Sequence, residues 1–98
     1  MPTFFFSDIE GSTRSWQAAP EAMDQALALH DKTIRRSLQR HEGREVKHTG
    51  DGFMAVFDGP AALSCALEIQ RGIRSLELPR ELRLQIRIGI HVGDAYLR

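Results

Sequence analysis

Glu45-Val46-Lys47-His48-Thr49-Gly50-Asp51-Gly52-Phe53-Met54-Ala55-Val56-Phe57 has the pattern of two strands about a tight turn. Two short β-prone runs, Glu45 to Thr49 and Phe53 to Phe57, flank Gly50-Asp51-Gly52. Runs of this kind about a glycine-aspartate centre read as a hairpin, with Asp51-Gly52 expected to supply the positive backbone angles of a tight turn. On the N-terminal side, residues 22–40 predict a helix. Met23, Leu27, His30, Ile34 and Leu38 follow one another at spacings of four, three, four and four, which is one helical face. Glu21 and Asp24 near its start and Arg35, Arg36 and Arg40 near its end complement the helix dipole, and Gly43 reads as its stop. On the C-terminal side, Gly59-Pro60 opens a second helix running to about Leu76, with Leu63, Leu67, Ile73 and Leu76 toward one side and Pro79 beyond it.

Outside these helices lie two more strands. Thr3 to Ile9 is short, apolar and aromatic, and ends at Glu10-Gly11-Ser12. From Leu82 to Val92 the even positions are Leu, Leu, Ile, Ile, Ile and Val, whereas the odd ones are Arg83, Gln85, Arg87, Gly89 and His91. Strict alternation makes a strand with one apolar and one polar face. The order β-α-β-β-α-β is the ferredoxin-like arrangement, an α+β fold with two helices on one face of a four-stranded antiparallel sheet. The 98 residues suffice for one such unit, 1–98, and are too few for two.

Composition removes several classes of function. Thirteen basic and 13 acidic residues give no net charge, and no block of one sign points to a nucleic-acid partner. An anionic ligand must therefore be held by local groups or by metal. The longest apolar run, Phe4 to Phe6, is far too short for a membrane segment, and no basic leader precedes it. With one cysteine, Cys65, no intrachain disulfide forms, and a cytoplasmic protein is expected. Cys65 sits among Ala61, Ala62 and Ala66 and reads as packing. His30, His41, His48 and His91 are scattered without zinc spacing.

In this topology the first and third strands are antiparallel neighbours about 4.8 Å apart. Asp8, at the end of the first, then meets Asp51, in the turn before the third. Two such carboxylates repel each other unless one is protonated or a cation lies between them. Hard oxygen donors suit Mg²⁺ or Mn²⁺, and two ions bridged by two aspartates suit in-line attack at phosphorus. Singly, Asp8 reads as a helix cap and Asp51 as a turn residue; the topology that joins them favours the metal. Glu10-Gly11-Ser12-Thr13 reads as a capped turn able to present amides to phosphate, without the ending of a P-loop. Lys47, taken alone, reads as a solvated charge.

Three segments then carry a family likeness. Phe6 to Thr13 resembles the first metal motif of bacterial class III adenylate and guanylate cyclases, and Val46 to Phe53 resembles their second. Residues 87–95, Arg-Ile-Gly-Ile-His-Val-Gly-Asp-Ala, resemble the strand after the second helix. The resemblance implies that Asp8 and Asp51 hold two ions, Mg²⁺ or Mn²⁺, with the Ile9 carbonyl as a further ligand. It implies that Glu10, Gly11, Ser12 and Thr13 cradle the β- and γ-phosphates, and that Lys47 meets adenine, favouring ATP over GTP. The implied reaction is attack of the ribose 3′-hydroxyl on the α-phosphorus, giving cyclic AMP and pyrophosphate. It also implies a homodimer or a cyclase-domain partner, with Lys47 serving the partner's metals. Family members carry a further base-selecting residue, an Asn and an Arg for which no match stands among these 98 residues. The expectation is an incomplete catalytic domain, weak or inactive as this chain. The alternative is a non-catalytic cyclase-like module for nucleotide binding or dimerisation. A diguanylate cyclase would carry a Gly-Gly-Asp/Glu-Glu-Phe hairpin, which Thr49 to Phe53 does not match.

Overall fold

The computed structural model describes residues 2–79 and 82–93. The elements are β1 (Thr3–Ile9), α1 (Ser12–Ala18), α2 (Pro20–Arg40), β2 (Arg44–Thr49), β3 (Gly52–Phe57), α3 (Ala62–Arg74) and β4 (Ile86–Val92). They form a four-stranded antiparallel sheet in the order β2-β3-β1-β4. This is the expected ferredoxin-like α+β arrangement with a third, short helix, α1, added after β1.

Strand alternation sorts side chains between two faces. Phe5 and Ile9 of β1 pair with Ile90 and Ile86 of β4, and Phe5 pairs with Ala55 of β3. Phe5, Ile9, Ala55 and Phe57 lie in the core against Met23, Ala26, Ile34 and Leu38 of α2 and Cys65, Ile69 and Ile73 of α3. The opposite face carries Phe6, whose ring is exposed, beside Met54 and Gly89. The two long helices touch closely: a Cβ on Gly72 would come 2.8 Å from Thr33 Cγ2. Ser37 Oγ donates to Glu68 Oε2 at 2.6 Å across the same seam.

Five local expectations are corrected. The buried face of α3 is Ala62, Cys65, Ala66, Ile69 and Ile73, whereas Leu63 and Leu67 are exposed. Small side chains let this helix sit close to the sheet, so the leucines fall outside the contact. Helix α3 starts at Ala62, after Gly59-Pro60, and ends at Arg74. Strand β4 begins at Ile86; Leu82 and Leu84 are buried without ladder pairing, and Ile90 and Val92, at its far end, are exposed. Finally, the hairpin turn uses no positive φ at residues 50–52. Gly52 is needed for space instead: a Cβ there would lie 2.9 Å from the Ser7 carbonyl oxygen. Helix α2 ends at Arg40, and the left-handed residue beyond it is Glu42 at φ 58 rather than Gly43, whose Cβ would meet the Phe57 ring at 2.6 Å.

Candidate functional site

Strands β1 and β4 and the β2–β3 hairpin wall an open cavity of about 780 Å³ on the helix-free face. Asp8, Lys47, Asp51 and Arg87 are its charged walls, and Phe6 and Met54 its larger apolar ones. Asp8 points there because it alternates with Ser7 and Ile9, which face the helices. Lys47 pairs with Met54 and shares its face. Asp51 sits on the two-residue turn between the last ladder pair, Thr49 and Gly52. The sheet thus brings Asp8, Asp51 and Lys47, distant in sequence, to one cavity.

The carboxylates are not left as a bare pair. Arg87, opposite Asp8 in the β1–β4 register, donates from Nε to Asp8 Oδ1 at 2.8 Å and from a terminal nitrogen to Asp8 Oδ2 at 3.0 Å. This fork-to-fork geometry is the strongest form of carboxylate pairing. Asp51 accepts a separate hydrogen bond, 2.8 Å from Ser12 Oγ to its Oδ2. The repulsion expected between the aspartates is relieved by a built-in guanidinium, a solution the two aspartates alone did not suggest. The pair with Asp8 raises the Arg87 pKa above its usual value, and Glu10 and Asp51 add to this at longer range.

Of the remaining expected residues, Ile9 sends its side chain into the core and has only its backbone to offer. Glu10, Gly11, Ser12 and Thr13 do not wall the cavity. The Glu10 amide is already bonded to the Gln85 carbonyl at 2.8 Å. Gly11, at φ 67, turns the chain into α1, and Ser12 reaches the site through Asp51. Arg87 is the residue that sequence reading left among the polar positions of the last strand. Its contact with Asp8 depends on the β1–β4 register, which sets the two opposite each other on adjacent strands. Asp94 and Ala95, within the third matching segment, lie outside the described residues.

The donor set fits a hard divalent cation. Among the described residues, no cluster of three His, Cys, Asp or Glu side chains can hold a metal alone. An ion at Asp8 and Asp51 would complete its shell with water and phosphate oxygens, as Mg²⁺ prefers. An exposed ion pair contributes little net stability, so the Arg87–Asp8 contact can yield to a competing cation.

Elsewhere, burial pushes the Cys65 thiol up to about 11, so it stays protonated and inert. No described helix is long and apolar enough to cross a membrane.

The family model for the adenylate and guanylate cyclase catalytic domain matches residues 2–98. An uncharacterized protein of Mycobacterium tuberculosis is 36% identical over 99 residues, which is 98% of this chain and 32% of that protein. A receptor-type adenylate cyclase of Trypanosoma brucei brucei is 44% identical over 80 residues, 81% of this chain and 6% of that protein. Among solved structures, an adenylate cyclase from Trypanosoma brucei in its monomeric state superposes with a TM-score of 0.85 at 31% identity, over 92% of this chain and 55% of that one. A bacterial light-regulated adenylyl cyclase gives 0.80 at 25% identity, over 91% of this chain and 51% of that one. The chain thus spans about half of the solved domains it resembles and a third or less of these two relatives. A match across nearly every residue, on a fold that brings Asp8 and Asp51 to one cavity, shows that the chain belongs to the adenylate and guanylate cyclase catalytic-domain family, the class III nucleotide cyclases.

Proposed function

We propose that this chain carries the metal-binding part of a site that converts ATP to cyclic AMP and pyrophosphate. The observation that carries the proposal is the convergence of Asp8, Asp51, Lys47 and Arg87 on one cavity, drawn from three strands and a turn. Two divalent ions, Mg²⁺ or Mn²⁺, would be held by Asp8, Asp51 and the Ile9 carbonyl; bound there, they would lower the pKa of the ribose 3′-hydroxyl and neutralise the triphosphate. Arg87, displaced from Asp8, offers two donors to phosphate oxygens within the same walls. Ser12 bonds to Asp51, and the segment Glu10, Gly11, Ser12 and Thr13 supplies the candidates for the β- and γ-phosphates. Lys47, which walls the cavity of its own chain, would read the base there or, across a dimer, at the partner's metals, and its identity as a lysine favours ATP over GTP.

A homodimer or a cyclase-domain partner would close the cavity from the open side, where the exposed Phe6 ring waits beside Met54. An ATP- and Mg²⁺-dependent reaction suits the cytoplasm. Residues 1–98 are read as one unit of this catalytic domain.

The second reading is a non-catalytic cyclase-like module for nucleotide binding or dimerisation. The observation behind it is that each aspartate already has a partner, Arg87 or Ser12. One experiment separates the two. The chain, alone and within the longest reading frame that contains it, is incubated with Mn²⁺ and ATP or GTP, and cyclic nucleotide is measured. Cyclic AMP formation lost on Asp51→Ala supports the enzyme, with the longer protein the more active. No cyclic nucleotide from either protein, with nucleotide still bound, supports the module.

A further inference from the structure

On the helix side of the hairpin, opposite Lys47, a polar clamp joins β2 to α2. His48 Nε2 lies 3.5 Å from Asp31 Oδ2, and its Nδ1 lies 3.4 Å from a terminal nitrogen of Arg35. The imidazole stacks on Phe53 with ring centroids 4.4 Å apart. Asp31 is held in turn by the fully buried His30, whose Nδ1 stands 2.8 Å from Oδ1. Arg35 covers Phe53 with its guanidinium, 5.2 Å from the ring centre, and pairs with Glu45 at 2.9 Å. The partners fix the tautomers. A guanidinium has only donors, so His48 Nδ1 must be the lone pair and Nε2–H points at Asp31. A neutral His48 therefore satisfies both neighbours.

We infer that Asp31 and His48 are a positioning pair for the cavity, holding the β2–β3 hairpin at the place where Asp51 and Lys47 are presented to ligand. The inference rests on the site reading proposed above. It follows from what else holds β2. This is an edge strand, all six of its residues are exposed, and its ladder to β3 shifts register between Glu45 and Lys47. Ladder bonds to β3 fix the hairpin's internal shape but not its tilt over the helices. His48 and Phe53 are ladder partners one step before the turn. A side chain pinned there anchors the turn residue Asp51 from one face, and Lys47, its chain neighbour, emerges on the other. Glu45 adds a second tether to α2 further from the turn. Supporting contacts of this kind decide whether a ligand set is held tightly enough to work, and small misplacement at a reacting site is costly.

The test uses Asp31→Ala, His48→Ala, the double variant and His48→Gln, which keeps one donor and one acceptor. The first measurement is backbone amide exchange in residues 47–52 of the free chain, with β4 amides as reference. Each alanine variant is expected to speed hairpin exchange about tenfold while leaving β4 unchanged. The double variant should match either single one, as it must when two residues act as one contact. His48→Gln should restore most of the protection. The second measurement is Mn·ATP affinity by calorimetry, expected to weaken about tenfold in both alanine variants and to recover in His48→Gln. Unchanged hairpin exchange, or additive effects in the double variant, overturns the positioning pair. Should an alanine variant fail to fold, Asp31→Asn gives the same exchange reading with less disturbance. Absence of Mn·ATP binding in the unaltered chain would count against the site reading, and the exchange result would still decide the clamp.

Discussion

At the scale of single residues, the most consequential contact is the fork between Arg87 and Asp8. A metal ion at Asp8, as proposed above, would have to displace this guanidinium from the same carboxylate. Arg87→Met removes the competitor and leaves the Asp8 carboxylate unpaired in the cavity that Asp51 also lines. Mn²⁺ without nucleotide should then bind several-fold more tightly than to the unaltered chain, which electron paramagnetic resonance of the free ion would measure. Weaker or unchanged binding would mean that Arg87 orders Asp8 for the ion and does not compete with it. His30 makes a second prediction. Burial lowers its pKa below the usual 6.5, against the opposing pull of Asp31. The unfolded chain therefore takes up a proton that the folded one resists. The stability this group contributes is fully present above about pH 6.5 and declines as pH falls toward the lower folded value. Urea midpoints at pH 7.5 and 5.5 should differ less in His30→Leu than in the parent. An equal acid slope in both would place the sensitivity elsewhere.

At the scale of elements, helix ends and strand ends follow rules that the sequence states only in part. Helix α2 closes with Gly43 N donating to the Leu38 carbonyl at 2.8 Å and Glu42 N to Gln39 at 3.3 Å, a Schellman pattern. The left-handed position is Glu42, because Gly43 is required for the close passage of Phe57. Two neighbouring demands for glycine were met by one glycine. Glu42→Gly should thus stabilise the fold by about 1 kcal/mol, read as a higher urea midpoint at constant slope. The same local logic shows what could be read beforehand. β1, the hairpin and the helix stripe from Met23 to Leu38 were legible because apolar periodicity and turn residues are local signals. The phase of α3 was not, since its contact face is built from Ala62, Cys65 and Ala66 and a search for large apolar residues settles on Leu63 and Leu67. The joining of Asp8 to Asp51 at one cavity was legible from strand order. Their separate partners were not: Arg87 needed the β1–β4 register, and Ser12 needed the turn at Gly11.

At the scale of the whole molecule, ligand binding and folding are linked, and the linkage tests the site without any need for turnover. The chain has no net charge, so no general field draws in a triphosphate. Affinity must come from the cavity, where Lys47 and Arg87 face Asp8 and Asp51 and the formal charges cancel. ATP alone, with its several negative charges, then gains from two cations and loses to two carboxylates. A divalent ion reverses the second contribution, so metal and nucleotide should bind with positive coupling. A ligand present at a hundred times its dissociation constant stabilises the native state by about 2.7 kcal/mol. In a domain of this size that raises the unfolding temperature by roughly 4–8 °C for each kcal/mol. Mn·ATP should therefore produce a clear upward shift in a thermal melt, ATP with chelator a much smaller one, and Mn·GTP an intermediate one if Lys47 reads adenine. Asp8→Asn with Asp51→Asn should abolish the metal-dependent part and leave or improve the response to ATP alone, since the opposing charges are gone. A full shift with ATP in chelator, insensitive to both aspartates, would show that the basic side chains suffice and would remove the metal from the site.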